Sequence, residues 1–328
     1  MGIPLNSRFC QRFGLRSPVA LAPMALAAGG ALAAACARAG ALGLVGGGYG
    51  ELAWTQREYA LAQAAADTDR IGCGFIVWKL DQDASALDWV LERKPRAIML
   101  SFGDPRPYAQ RVAAAGAELL FQVQRLEQVP IALEAGATVI IGQGGEAGGH
   151  GMHALNARAT ITLVPELADW LAAHSPQTLL LAAGGVADGR TLAAVRVLGA
   201  DGALVGSRLW ATQESLAQAG AKQLAVATNG DGTARSSVFD ILRRKNWPAP
   251  YDFRAIRNDL HRKWEGKLAA SHPSVEEARA DYDAGVQAGD FTRAHATVGE
   301  AVGLIHDLPP AAEVIERMTA GATQILGA

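Results

Sequence analysis

From Pro18 onward, short apolar runs alternate with longer Ala-rich stretches of helical character. The apolar runs fall near residues 18–23, 42–46, 71–77, 97–101, 118–123, 138–142, 178–183 and 202–206, and each reads as a strand with a helix between it and the next. Eight strands with an average start-to-start spacing of about 26 residues fit a (β/α)8 barrel, whose core takes roughly 200 to 250 residues. The joints repeat as well. Ala39-Gly40-Ala41, Ala115-Gly116-Ala117, Ala135-Gly136-Ala137 and Leu198-Gly199-Ala200 each place a glycine where a helix should stop before a strand.

Such joints suit any α/β protein, so a doubly wound open sheet is the competitor. Against it, no Gly-x-Gly-x-x-Gly turn follows the first strand, and the glycine-rich segments follow several different strands. In a closed barrel those strand ends converge on one face; in an open sheet they do not all meet. The expected fold is therefore an α/β TIM barrel with a C-terminal, mostly helical appendage. Residues 1–227, with part of the C-terminal helices, would form the barrel, and residues 228–328 an appendage or lid packed on it. The character of the chain changes after Thr212, with Trp247-Pro248-Ala249-Pro250-Tyr251 amid many charges, and then a helical pattern from His272-Pro273-Ser274 onward.

Composition narrows the function classes. Of 328 residues, 50% are apolar and 19% charged, with a formal net charge of −2, as expected of a soluble protein with a well-filled core. Lys and Arg are scattered, and the densest cluster, Arg243-Arg244-Lys245, lies in what reads as the packed appendage, so no nucleic-acid partner is expected. Cys10, Cys36 and Cys73 have no metal-ligand spacing, and an odd number argues against a disulfide framework, which favours a cytoplasmic setting. Met1 to Arg16 lacks the apolar core of a signal peptide, and Leu26 to Ala39 is too short to span a bilayer, so no membrane association is expected. A monomer or a homodimer is compatible with all of this.

The candidate chemistry centres on Val139 to His153. A short β-branched run leads into six glycines, Gly142, Gly144, Gly145, Gly148, Gly149 and Gly151, that interrupt Gln143, Glu146, His150 and His153. Such density suits a flexible surface loop or a backbone that something approaches closely, and four polar side chains straight after a buried strand favour a ligand. Other strand ends look specialised too. Ala22-Pro23-Met24 follows the first strand, Gln122 ends the fifth, and Ala183-Gly184-Gly185 and Val205-Gly206-Ser207 end the last two. Each glycine pair alone reads equally as a tight turn or a phosphate contact; together, at these two strands, they favour a phosphorylated ligand.

His150 can serve as base, hydrogen-bond donor or metal ligand, or be a histidine satisfied by its own loop. Glu146, His150 and His153 permit a metal on paper, but a glycine-rich loop does not hold two histidines on one rigid face, and no metal is expected. No Gly-x-Ser-x-Gly elbow is present, and Lys79 is better explained as a snorkelling surface lysine than as a Schiff-base lysine.

These strings resemble the nitronate monooxygenase family, also called 2-nitropropane dioxygenases, across nearly the whole chain. The resemblance rests on Ala22-Pro23-Met24, Leu100-Ser101-Phe102-Gly103, Gln143-Gly144-Gly145-Glu146-Ala147-Gly148-Gly149-His150, Ala182-Ala183-Gly184-Gly185-Val186-Ala187-Asp188-Gly189, and Gly199-Ala200-Asp201-Gly202 followed by Gly206-Ser207-Arg208. Related enoyl-acyl-carrier-protein reductases and NAD(P)H:quinone reductases share much of this pattern. Val238-Phe239-Asp240, Asn246-Trp247-Pro248 and Arg257-Asn258 lean toward the nitropropane dioxygenase branch, and Gly72-Cys73-Gly74-Phe75 lacks the Asn that related reductases often carry. After His150 the chain runs Gly151-Met152-His153, where the family often has Arg-Gly or Gly-Gly.

The resemblance implies a barrel holding one non-covalent FMN. The backbone of Ala22, Pro23 and Met24 would lie near the reactive side of the flavin, Gln122 and Gln143 would reach its polar edge, Gly184, Gly185, Gly206 and Ser207 would hold its phosphate, and Gly144 and Gly149 would also contact the cofactor. His150 would be the catalytic residue, and the implied reaction is oxidation of alkyl nitronates, with nitroalkanes as further substrates, by O2 to a carbonyl compound and nitrite. The alternative is an NAD(P)H-dependent flavin reductase acting on quinones or enoyl thioesters.

Overall fold

A computed structural model describes residue 3 and residues 5–327; residues 1, 2 and 4 of the N-terminal stretch read above, and residue 328, lie outside the described residues. Its strands are β1 (Val19–Leu21), β2 (Gly43–Gly48), β3 (Ile71–Ile76), β4 (Ala97–Ser101), β5 (Glu118–Val123), β6 (Val139–Gln143), β7 (Gly149–Met152), β8 (Leu179–Ala183), β9 (Gly202–Val205), β10 (Thr233–Ser236) and β11 (Tyr251–Ile256). Eight of them run parallel in the order β1-β9-β8-β6-β5-β4-β3-β2. The ring closes between its ends: Leu21 N donates to Leu42 O at 2.9 Å and Leu42 N to Val19 O at 3.0 Å, around the Ala20 and Leu42 bridge. This is the expected TIM barrel, and its eight strands coincide with the eight apolar runs.

Strand alternation sorts the side chains into two cores. Leu42, Leu44, Met99, Leu120, Val139, Ile141, Leu181 and Leu204 fill the interior, where Phe9 and Phe13 of the helix Arg8–Phe13 join them. Their neighbours on the same strands, Leu119, Phe121, Ile140 and Leu180 among them, face the surrounding helices. Each such side chain contributes about 1.5–3 kcal/mol when fully buried, so Leu120→Ala, at a position with no exposure, should cost about 2–5 kcal/mol. The four glycines predicted to stop helices do so in the left-handed region: Gly40 at φ +90°, Gly116 at +72°, Gly136 at +78° and Gly199 at +96°.

The C-terminal part is mostly helical, as expected, with helices Val275–Ala288 and Ala311–Leu326. The latter packs against the barrel helices Gly189–Val197 and Gly30–Arg38. One departure bears on the site. The appended segment also contributes β10 and β11, and β11 pairs antiparallel with both β10 and β7. The second half of the glycine-rich stretch is thus a strand, which Gly149-His150-Gly151-Met152 is too short and too glycine-rich to signal by itself. Its conformation comes from its partner, with His150 opposite Phe253. Among the described residues no helix is long and apolar enough to cross a membrane.

Candidate active site at the C-terminal end of the barrel

The strand ends converge on one cavity of about 790 Å³, within the range of small-molecule and cofactor sites. Ala22, Pro23 and Met24 after β1, Gln122 ending β5, Gln143 ending β6, Gly184 and Gly185 after β8, and Gly206 and Ser207 after β9 all line it, as do Gly149 and His150. Gly144 does not. A Cβ there would meet Thr160 Oγ1 at 2.1 Å and Glu146 Oε2 at 2.4 Å, so this glycine serves the packing of the loop. Two glycines instead bring the loop against the segment after Val298: a Cβ on Gly148 would stand 2.5 Å from Gly299 N, and one on Gly299 2.4 Å from Glu146 O.

The loop is held rigidly. Glu146 accepts from Thr160 N at 2.9 Å and from Thr160 Oγ1 at 2.9 Å, at the start of the helix Thr160–His174. Its carboxylate is therefore committed to structure. Arg235 of β10, only 8% exposed, donates to Ala147 O at 2.6 Å, Asp252 O at 2.7 Å and Gly149 O at 3.1 Å. Burial pulls its guanidinium down to about 10, which leaves it charged at neutral pH. Gln143 accepts from Gln124 Nε2 at 2.9 Å and Gln122 Nε2 at 3.1 Å, and donates to His150 O at 3.0 Å. Three amide side chains fix each other's orientation at the barrel mouth.

In the same cavity, the ends of β8 and β9 present the glycines Gly184, Gly185 and Gly206. Gly184 and Gly185 have φ of +98° and +79°. A Cβ on Gly185 would meet Glu146 Cβ at 4.0 Å and one on Gly206 would meet Ala22 Cβ at 3.7 Å, ordinary contacts that leave both backbones uncrowded, whereas one on Gly184 would press on Ala147 N at 3.1 Å. Ser207 begins the helix Ser207–Trp210, whose first N–H groups have no partner within the helix. Its Oγ accepts from Gly299 N at 2.8 Å, which leaves the hydroxyl proton to give elsewhere. Backbone N–H groups, a free hydroxyl proton and room for a bulky group are what a phosphate requires.

His150 lines the same cavity and packs against an aromatic wall. Its ring stacks on Trp247 at 3.4 Å between centroids and 12° between planes, tilts against Phe253 at 4.8 Å, and meets Phe102 edge-on at 6.5 Å. Phe102 itself has a φ of +62°, a conformation a bulky residue adopts only when its surroundings impose it. Nε2 of His150 lies 2.9 and 3.0 Å from the carboxylate oxygens of Asp240, with the two side chains 8% and 6% exposed. Burial raises the Asp240 carboxyl to about 7 even though Arg243 and Lys245 pull it down. Burial, reinforced by Arg243 and Arg235, holds His150 well below the usual histidine range. Nδ1 has no hydrogen-bond partner among the described residues, so the ring is held by one nitrogen and free to act with the other.

Asp240, Arg243 and Trp247 are the residues that reasoning from residue types missed. Asp240 sits on the helix Val238–Leu242, 90 positions from His150, and Trp247 reaches the site through a bond from its Nε1 to Tyr49 Oη at 3.1 Å. Arg243, in the cluster expected within the packed appendage, lines the cavity with its Nη1 3.8 Å from Asp240. Only the Val238-Phe239-Asp240 and Asn246-Trp247-Pro248 strings carried a signal for them. His153 lies apart, 46% exposed at its side chain and 3.4 Å from Asp252, and Lys79 is half-buried and donates to Gln82 Oε1.

A family model described as nitronate monooxygenase matches residues 54–321. The nitronate monooxygenase of Neurospora crassa is 32% identical over 92% of this chain and 88% of its own length. Nitronate monooxygenase npaC of Metarhizium robertsii is also 32% identical, over 95% of this chain and 92% of its own. Among solved structures, FabK from Thermotoga maritima superposes with a TM-score of 0.84 at 24% identity, covering 99% of this chain and 98% of that one. Nitroalkane oxidase from Streptomyces ansochromogenes does so at 0.80 and 23%, covering 96% and 98%. The two structures confirm the barrel, while the matched family model and relatives that align along nearly the whole chain establish that this protein is an oxidoreductase of the nitronate monooxygenase family.

Proposed function

We propose that this enzyme binds one FMN in the cavity and oxidises alkyl nitronates with O2 to a carbonyl compound and nitrite. The observation that carries the reading is His150, set on a glycine-framed strand in the same cavity as the proposed phosphate cradle and backed by the buried carboxylate of Asp240. The fit to FMN rests on that cradle: Gly184, Gly185, Gly206 and Ser207 would hold the phosphate, Gln122 and Gln143 the polar edge of the ring, and the backbone of Ala22 to Met24 would lie against its reactive side. FMN, when bound, supplies the electron exchange between nitronate and O2.

The chain supplies position and proton control. The Trp247, Phe102 and Phe253 rings exclude water from His150, which strengthens every polar interaction its free Nδ1 makes. Protonated, that atom donates to an oxygen of a nitronate anion; bare, it takes the α-proton of a neutral nitroalkane. Asp240 sets which of the two is present.

The test begins with the visible spectrum of the purified protein, followed by anaerobic addition of propyl nitronate and, separately, NADPH. Flavin bands that bleach with nitronate and not with NADPH support the reading, and the reverse assigns the chain to flavin reductases. His150→Ala should then lose about 10²-fold or more in turnover with its FMN retained; near wild-type turnover would remove His150 from the mechanism.

A further inference from the structure

A second histidine shares this cavity. His295 lies on the irregular stretch after the helix Val275–Ala288, and Tyr282 of that helix places its hydroxyl 2.6 Å from His295 Nδ1. Both line the cavity. The Phe253 ring that packs against His150 at 4.8 Å lies 5.7 Å from the ring of His295, so one phenylalanine supports both imidazoles from the same wall.

The direction of the Tyr282 bond follows from the partners. The phenol has one proton and no other acceptor among the described residues, and burial raises its pKa to about 12, so the hydroxyl stays intact and gives that proton to Nδ1. The remaining imidazole proton is then on Nε2. A second charge is disfavoured, because burial, Arg243 and His150 hold His295 down to about 3. Nε2–H is therefore a neutral donor, fixed in tautomer, and it has no acceptor among the described residues. Polar hydrogens set among rings such as Phe239 and Phe253 normally find a partner.

We propose that His295, held in one tautomer by Tyr282, is a second hydrogen-bond donor of the substrate chamber and binds an oxygen of a planar oxyanion, the chemistry a nitronate presents. The identity of the substrate rests on the function proposed above; the donor itself rests on the geometry of the pair. His150 and His295 differ in kind: the first is tied to a carboxylate and changes its proton state, the second is tied to a phenol and does not. Such a division lets one residue handle the proton while the other fixes the orientation of the anion.

Nitrate, a planar oxyanion with no redox role here, is the probe. Titrated into the FMN-loaded enzyme and followed by perturbation of the flavin spectrum, it should bind saturably to the wild type. His295→Leu should raise its Kd about 10- to 100-fold, the range for a lost hydrogen bond to a charged group. His295→Gln, which keeps an N–H donor, should recover part of the loss. Tyr282→Phe, which leaves the histidine in place and frees its tautomer, should weaken binding less than His295→Leu does. With propyl nitronate the same variants should raise KM more than they lower kcat. Unchanged nitrate affinity in His295→Leu overturns the proposal, as does a wild type that nitrate does not perturb. If His295→Leu fails to retain FMN, unchanged affinity in Tyr282→Phe is the overturning result. Nitrate binding that depends on His295 in an enzyme inert toward nitronates would sink the proposed function and leave the donor standing; nitronate turnover with unaltered KM in both variants would do the opposite.

Discussion

Asp240 holds His150 by one nitrogen only: both carboxylate oxygens lie within 3.0 Å of Nε2, and the other nitrogen has no partner among the described residues. The pair titrates as a unit. Below about 7 it holds two protons, and whether Asp240 donates to Nε2 or the two form an ion pair, Nδ1 carries a hydrogen. Above about 7 one proton leaves, Nε2–H donates to the carboxylate, and Nδ1 is bare.

The sign of the pH dependence therefore differs between substrates. A preformed nitronate needs the Nδ1 donor, so its kcat/KM should fall as pH rises through about 7, whereas a neutral nitroalkane needs the base and its kcat/KM should rise over the same range. Initial rates with fresh propyl 2-nitronate and with 2-nitropropane across this range decide the matter. Parallel profiles would show that the pair does not control the proton.

Asp240→Asn removes the titrating carboxyl while keeping its shape. Asp240 does not line the cavity, so FMN content should be unchanged. The step near 7 should vanish for both substrates; kcat/KM for the nitroalkane, which needs the carboxylate form of the pair, should fall by about 10²-fold, while that for the nitronate should stay near its low-pH value. A variant that keeps the wild-type profile would transfer the step to another group.

Gly299 is predicted to admit no side chain. The Cβ of Gly299→Ala would stand 2.4 Å from Glu146 O and 2.6 Å from Gly148 N, both backbone atoms, and the shift would disturb the bonds Glu300 N to Glu146 O and Gly299 N to Ser207 Oγ. If Ser207 holds the FMN phosphate as proposed, FMN affinity should drop by about tenfold or more, the loss expected of one hydrogen bond to a charged group. Reconstitution of the stripped enzyme with FMN, followed by fluorescence, measures it. Wild-type affinity would separate this contact from the cradle.

The barrel was legible because its signals are local and repeated: eight apolar runs, and glycines at 40, 116, 136 and 199 whose positive φ is the physical reason for the residue type. That His150 and the strand-end glycines line one cavity was legible because glycine density reports close backbone approach, although at Gly144 and Gly148 what approaches is the protein itself. What was not legible is pairwise and distant. An aspartate on a short, otherwise apolar helix has no visible partner in the sequence until the fold sets it 2.9 Å from a histidine 90 residues away. Arg243 carries the charge of any surface arginine, and only packing turns it toward the cavity. Likewise β7 is a strand because β11 pairs with it, and Gly144 lies off the cavity wall because Thr160 occupies that side.

Arg235 shows how such distant pairing stabilises the site. It is a buried cation whose hydrogen-bond acceptors among the described residues are the carbonyls of Gly145, Ala147, Gly149 and Asp252, with no carboxylate among them. Charged donors to carbonyls are stronger than neutral ones, and removing this guanidinium leaves several buried acceptors unpaired. Arg235→Met, similar in length and apolar, should therefore destabilise the fold by about 2–4 kcal/mol, while Arg235→Lys, which keeps the charge but not the forked geometry, should lose less. The carbonyls belong to the loop that carries His150, so the Met variant should also lose turnover beyond what its FMN content explains. Thermal unfolding, FMN content and turnover per bound flavin, measured together on the three proteins, test this. If Arg235→Met melts with the wild type and turns over normally per flavin, the loop is held by the β7–β11 pairing and the Glu146–Thr160 cap alone.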